Sequence, residues 1–204
     1  MIRRIGSSLA LLWGIAYVDA ETLVEKAYEA GQLDLGTALL YQMQGMRDKT
    51  ELPIAYQEIM PHAFCGTPQV VQAVSALPHM DADYARRLGK LMQRRPSADF
   101  SAVSPSGRFR VHYDTEGSER VDPTDSNANG VPDYVDLTMA VLDSVWILQI
   151  DQMGYDPPPE DGGVDGDEYD VYIVDLGRGG AYGFTYPERA GKTSSSYLEI
   201  DNDY

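Results

Sequence analysis

The sharpest chemical signal in the chain is a twelve-residue run at 125–136, Asp-Ser-Asn-Ala-Asn-Gly-Val-Pro-Asp-Tyr-Val-Asp. Calcium takes six to eight oxygens, and a twelve-residue loop supplies them from positions 1, 3, 5, 7, 9 and 12. Those positions hold Asp125, Asn127, Asn129, the carbonyl of Val131, Asp133 and Asp136. Gly130 falls at position 6, where a sharp turn needs the positive φ that glycine adopts without steric cost. With three carboxylates, the expected affinity is in the weak extracellular class, roughly 10⁻⁴–10⁻³ M. The same residues also read as an Asx-rich turn that caps a helix without metal, because Asp and Asn favour turns in any case.

Two departures separate the run from a paired calcium-binding hand. The preceding residues 108–114 alternate like a strand, so no incoming helix is expected, and Pro132 at position 8 has no N–H to pair with a sister loop. The expected role is structural: an isolated ion that offsets local acidic repulsion and fixes a strand-to-helix turn. A second acidic stretch, 156–170, holds Asp161, Asp165, Asp167, Glu168 and Asp170 among prolines and glycines. No ligand template fits it, and a solvated loop is expected there, with a second calcium site as the other reading.

No catalytic constellation is complete. The histidines are His62, His79 and His112, and none belongs to a His-Glu-x-x-His pair that could hold zinc on a helix. There is no Gly-x-Ser-x-Gly elbow and no phosphate-binding loop. Carboxylate pairs are so common in this chain that they point to no glycosidase.

The elements that must position the loop follow from periodicity. Residues 21–96 read as a helical, pro-like region. Val24, Ala27 and Tyr28 share a face before Gly31, and Asp34 caps a helix bearing Leu35, Leu39, Met43 and Met46. Thr67 and Pro68 are placed as N-cap and first residue of a helix with Val70, Val71, Val74 and Leu77. Asp81 caps the last helix, with Tyr84, Leu88 and Leu91; Arg94 and Arg95 close it and Pro96 stops it. Arg94-Arg95 also reads as a processing site of a released pro-segment. Residues 97–107 read as a linker. Phe109, Val111 and Tyr113 then alternate with polar residues as a strand. Helical spacing returns at 134–153, with Val135, Met139, Leu142, Trp146 and Ile150 on one side. Strands are expected at 169–176 and 196–200, with a glycine-rich hairpin or edge segment at 179–185. The order strand, helix, strand, edge segment, strand implies an α+β fold, a small sheet with a crossover helix on one face.

Residues 1–20 carry Arg3 and Arg4, an apolar stretch too short to span a bilayer, and small residues Val18 and Ala20 at a cleavage position. They read as a signal peptide, so the mature protein is expected to be secreted and free of membrane; a buried N-terminal helix is the alternative. Cys65, the single cysteine, is expected to be a small buried hydrophobe or else half of a bridge to another chain. The 204 residues carry a net charge of −16. Residues 1–100 hold 10 basic and 11 acidic side chains, and 101–204 hold 6 and 21. Such an acidic chain is repelled by phosphate backbones, which excludes nucleic acid as a partner.

The runs Phe-Arg-Val-His-Tyr-Asp-Thr at 109–115, the loop at 125–136, Tyr-Asp-Val-Tyr-Ile-Val-Asp-Leu at 169–176 and Ser-Tyr-Leu-Glu-Ile-Asp-Asn-Asp-Tyr at 196–204 form a series. It resembles the secreted zinc metalloprotease family known from myxobacteria and related bacteria, closely over 108–204 and more loosely over 21–95. The resemblance implies the upper half of a zincin-like peptidase domain, with the zinc-binding His-Glu-x-x-His helix following the strand that ends at Tyr204. Zinc is then expected only in residues beyond it, and a protein or peptide substrate only for an extended chain. Residues 179–187 would be the edge that pairs with an extended substrate, or else a surface hairpin. Only the calcium loop matches residue by residue. The expected function is an exported, calcium-stabilised N-terminal fragment of a zinc metallopeptidase, catalytically incomplete as written. The alternative is a complete secreted calcium-binding or interaction module. Asp at position 12 resembles dockerin loops, although those are duplicated and this one is single.

Overall fold

The computed structural model describes residues 22–57, 64–92, 95–177, 180–188 and 194–203. The predicted signal peptide, His62, Arg94 and Tyr204 lie outside them. Local sequence signals start most of the helices. Thr22 and Glu25 form a reciprocal capping box at the start of α1 (Leu23–Glu29), and the Asp34 side chain accepts from Thr37 N–H (3.0 Å) to cap α2 (Leu35–Arg47). Helix α3 (Thr67–Ala76) starts one residue earlier than its Thr-Pro pair suggests. Gly66 is the cap there, and Thr67, the first helical residue, spends its hydroxyl elsewhere. Asp81 accepts from Asp83 N–H (2.8 Å) before α4 (Ala82–Met92).

The sheet has six strands among the described residues: β1 (Phe64–Cys65), β2 (Phe100–Val103), β3 (Phe109–Tyr113), β4 (Tyr169–Val174), β5 (Ala181–Pro187) and β6 (Ser196–Asp201). Their order is β1-β5-β6-β4-β3-β2. β3, β4 and β6 run parallel, while β2 and β5 are antiparallel to their neighbours β3 and β6. The crossover between β3 and β4 contains α5 (Asp133–Trp146), which continues as a π-helical turn over Ile147–Gln152. The fold is therefore α+β with a mixed sheet, in the expected element order.

Period-two alternation gives the sheet two different faces. Phe109, Val111, Tyr113, Val171 and Ile173 meet Val135 and Met139 of α5. On the other face Tyr172, Val174, Phe184, Tyr186 and Tyr197 meet Leu39, Met43, Val70, Leu88 and Met92. The N-terminal helices thus form a layer on the sheet and share its core, giving three layers, helix–sheet–helix.

Three expectations need correction. Residues 97–107 are not simply a linker: they contain β2, and the Ser104 N–H···O=C Phe109 bond (2.8 Å) closes a hairpin onto β3. The aromatic and β-branched content of Phe-Ser-Ala-Val outweighs the flanking Ser and Pro. Cys65 is exposed, not buried. The acidic stretch at 156–170 is not wholly solvated, because Asp161, Glu168 and Asp170 pair with arginines.

Candidate metal loop

Asp114 and Arg120 form an isolated bridge after β3, and the chain then descends to the loop and enters α5 at Asp133. Gly130 has φ +87°, as position 6 requires, and Ala128 is also left-handed at +57°. Asp125 accepts from the N–H of Asn129 (3.2 Å) and of Gly130 (2.9 Å), and Asn127 Oδ1 accepts from Asn129 N–H (2.9 Å). Asn129 Oδ1 accepts from Val131 N–H (2.8 Å). The carboxamides of Asn127 and Asn129 both donate to Asp136 Oδ2, at 2.8 and 2.9 Å. The structure therefore brings the side chains at positions 3, 5 and 12 together, while Asp125 at position 1 holds the backbone of positions 5 and 6.

Asp133, at position 9, is turned aside. Its two oxygens accept from Ser126 N–H (2.9 Å) and Ser126 Oγ–H (2.6 Å). Asp133 N–H in turn donates to the Thr124 carbonyl (2.7 Å). This residue braces the loop, and a cation would meet it through water, as position 9 commonly does. Asp133 and Asp136 also occupy the first turn of α5, where the positive end of the helix dipole favours carboxylates. Carboxylate and carboxamide oxygens are the donor types a hard cation takes; here the Asn127 and Asn129 oxygens accept backbone N–H groups and their amide nitrogens meet Asp136 Oδ2, a point where positive charge is wanted.

A second constellation was not visible in the sequence. Asp170 in β4 is buried, and its Oδ1 lies 2.8 Å from Nε2 of His112 in β3, whose ring stacks on Tyr172 at 4.4 Å. Asp170 Oδ2 receives a charge-assisted bond from Arg95, which also binds Asp161 (2.8 Å) and Glu188 and lies over the Tyr197 ring. Burial would raise Asp161, but Arg95 and the N–H groups of Gly163 and Val164 outweigh it and hold its carboxyl below the usual range. His112, Asp165 and Asp170 present ligand-type atoms within 4.8 Å of one another. Each Asp170 oxygen already has a partner and Arg95 supplies positive charge, so the group is an ion-pair network. Sequence alone hinted at it only through the polar alternation of Arg110 and His112 along β3.

His79 is exposed on a short turn after α3, far in sequence and element from His112 in β3. His79 therefore joins no ligand set with His112, and among the described residues His112, Asp165 and Asp170 are the one group of three His, Cys, Asp or Glu side chains brought this close together. Helix α5 is apolar on its outer side as well: Leu137, Val141, Val145 and Leu148 are all exposed. Leu198 and Ile200 of β6 are only half-buried on the α5 side of the sheet. The chain matches no protein-family model, no curated protein and no solved structure.

Proposed function

We propose that this chain is the N-terminal part of an exported zinc metallopeptidase with a zincin-like fold, held by a structural calcium ion at residues 125–136. The single observation that carries the reading is the arrangement β3-α5-β4-β5-β6, in which antiparallel β5 lies outside β6. Leu198 and Ile200, only partly buried, support it, since an apolar strand face beside α5 calls for a further helix. In this reading the zinc ligands and the glutamate base lie beyond Tyr204, and residues 1–204 position no catalytic group. Asp125, Asn127, Asn129, the Val131 carbonyl and Asp136 hold the calcium, with Asp133 as the brace.

The test compares residues 1–204 with the chain extended along its reading frame. The shorter protein is expected to leave casein intact with or without zinc. The extended protein is expected to carry a His-Glu-x-x-His helix within a few tens of residues and to cleave casein until chelator is added. An extended frame without that motif, or zinc-dependent hydrolysis by residues 1–204, overturns the reading.

A further inference from the structure

A strand at the rim of a sheet either has its outward N–H and C=O groups covered or offers them to another strand. β2 is the last strand on the β3 side of the sheet and pairs, among the described residues, with β3 alone. The Ser104 N–H bond to the Phe109 carbonyl fixes which of its groups face inward. Hydrogen-bonded and non-hydrogen-bonded pairs alternate along an antiparallel ladder, so Ala102 and Phe100 also bond to β3, opposite Val111 and Tyr113. Ser101 and Val103 alternate with them and turn their N–H and C=O outward, and no described residue bonds to those groups.

Charge, proline or a bulge commonly shields such an edge. Phe100–Val103 has none of these: it is uncharged, keeps an unbroken register with β3, and leaves Phe100 (49%) and Val103 (40%) exposed. Shielding stands at both ends instead. Asp99 precedes the strand with its N–H bonded to Asp114 Oδ1 (2.7 Å), while Ser104 bonds inward and Pro105 has no N–H. The open stretch therefore runs from Ser101 to Val103, with Ala102 at its midpoint.

We propose that this open edge pairs with the β2 of a second copy of the chain, antiparallel, with Ala102 on the two-fold axis. In that register Ser101 faces Val103 of the other copy on both sides of the axis, and every outward N–H of one copy finds a carbonyl of the other. Ala102 meets its own copy at a non-hydrogen-bonded position, where Cα atoms approach to about 4.5 Å and a small side chain fits. Charge favours this face for two acidic chains. Residues 121–168 contain no Lys, Arg or His, whereas residues 100–113 contain Arg108, Arg110 and His112 and no carboxylate. Antiparallel pairing also sets the two Asp99 residues about 20 Å apart along the strands, roughly twice the screening length, each level with the turn that carries Arg108 in the other copy. So short a strand buries far less than the about 1,200–2,000 Å² of a stable complex, so the dimer is transient, with a dissociation constant of roughly 10⁻⁴ M. The pairing is independent of the peptidase reading.

Sedimentation equilibrium of the 204-residue chain tests it. The average mass is expected to climb from 22.5 kDa towards twice that value as the protein is concentrated from about 10 μM to about 1 mM. Over the same range hydrogen exchange at the Ser101 and Val103 amides should slow at least about threefold. Val103→Lys puts a charge on the open edge and should weaken association at least about tenfold. Adding Ser101→Glu, which faces position 103 of the other copy, should restore it. Both positions are exposed, and circular dichroism checks that the variants stay folded. Val141→Lys with Leu148→Glu, on α5, should leave association unchanged. A chain that stays monomeric to about 1 mM overturns the proposal, as does a dimer that survives Val103→Lys or falls apart with the α5 variant. Ser101 and Val103 amides already protected at the lowest concentration would put a segment of the same chain on the edge and overturn it too. Failure of Ser101→Glu to restore the dimer overturns the register.

Discussion

Glu199 is the residue whose chemistry depends most on its surroundings. It points from β6 into the helical layer, fully buried, paired with Arg47 through one oxygen while Oε2 has no partner. Burial raises its carboxyl to about 7, against the opposite pull of Arg47. Because the folded pKa lies above the unfolded one near 4.5, the native state holds a proton that the unfolded chain has released. This contribution is complete below pH 4.5 and is lost as pH rises to 7. Stability over that window is expected to fall by up to about 3 kcal/mol, and Glu199→Gln should flatten the slope; urea titrations at several pH values measure it. Asp125 answers to a different test. At about tenfold calcium saturation the native state gains roughly 1.4 kcal/mol, so millimolar calcium should raise the wild-type melting temperature and leave Asp125→Ala unmoved. Equal melts for both proteins in calcium and in chelator would remove the metal from the loop.

At the scale of elements, Arg95 joins the end of the helical layer to the sheet. It binds Asp161, Asp170 and Glu188 with little solvent exposure, so Arg95→Met removes the shared counter-charge of three carboxylates. A loss of about 3 kcal/mol is expected in denaturant unfolding. Arg86→Ala breaks only the exposed pair with Asp83 and should cost less than about 0.5 kcal/mol. Helix α5 makes the opposite kind of prediction. Its outer stripe of Leu137, Val141, Val145 and Leu148 is exposed apolar surface. Val141→Lys with Leu148→Glu should lower binding of the dye ANS and shift stability by no more than about 0.5 kcal/mol, because nothing described packs there.

The molecule as a whole is organised by one sheet with a shared core on its helical side. Leu39, Val70 and Leu88 from the helices lie in the same cluster as Tyr172, Phe184 and Tyr197 from the strands. The helical layer and the sheet are therefore expected to unfold in one transition, with fluorescence and far-ultraviolet circular dichroism coinciding. Residues 97–204 expressed alone should lack dispersed amide resonances, because losing the layer uncovers the aromatic face and leaves Glu199 without Arg47. A separately melting helical unit would contradict this.

Signals that operate over a few residues were legible before any tertiary contact. Gly31 follows the end of α1 and Asp34 caps α2, the alternation of Phe109, Val111 and Tyr113 marks β3, and the spacing of Asn127, Asn129 and Asp136 around Gly130 brings those three side chains together. These follow from capping, pleat and turn chemistry, which depend on near neighbours. Long-range partnership had no such local trace. Nothing in the sequence sends Asp133 to Ser126 instead of the loop centre, joins Arg95 to Asp170 across 75 residues, or lays 64–67 along β5. Those outcomes turn on which buried charge meets which counter-charge and which strand edge is left open, and only the folded arrangement of layers determines that.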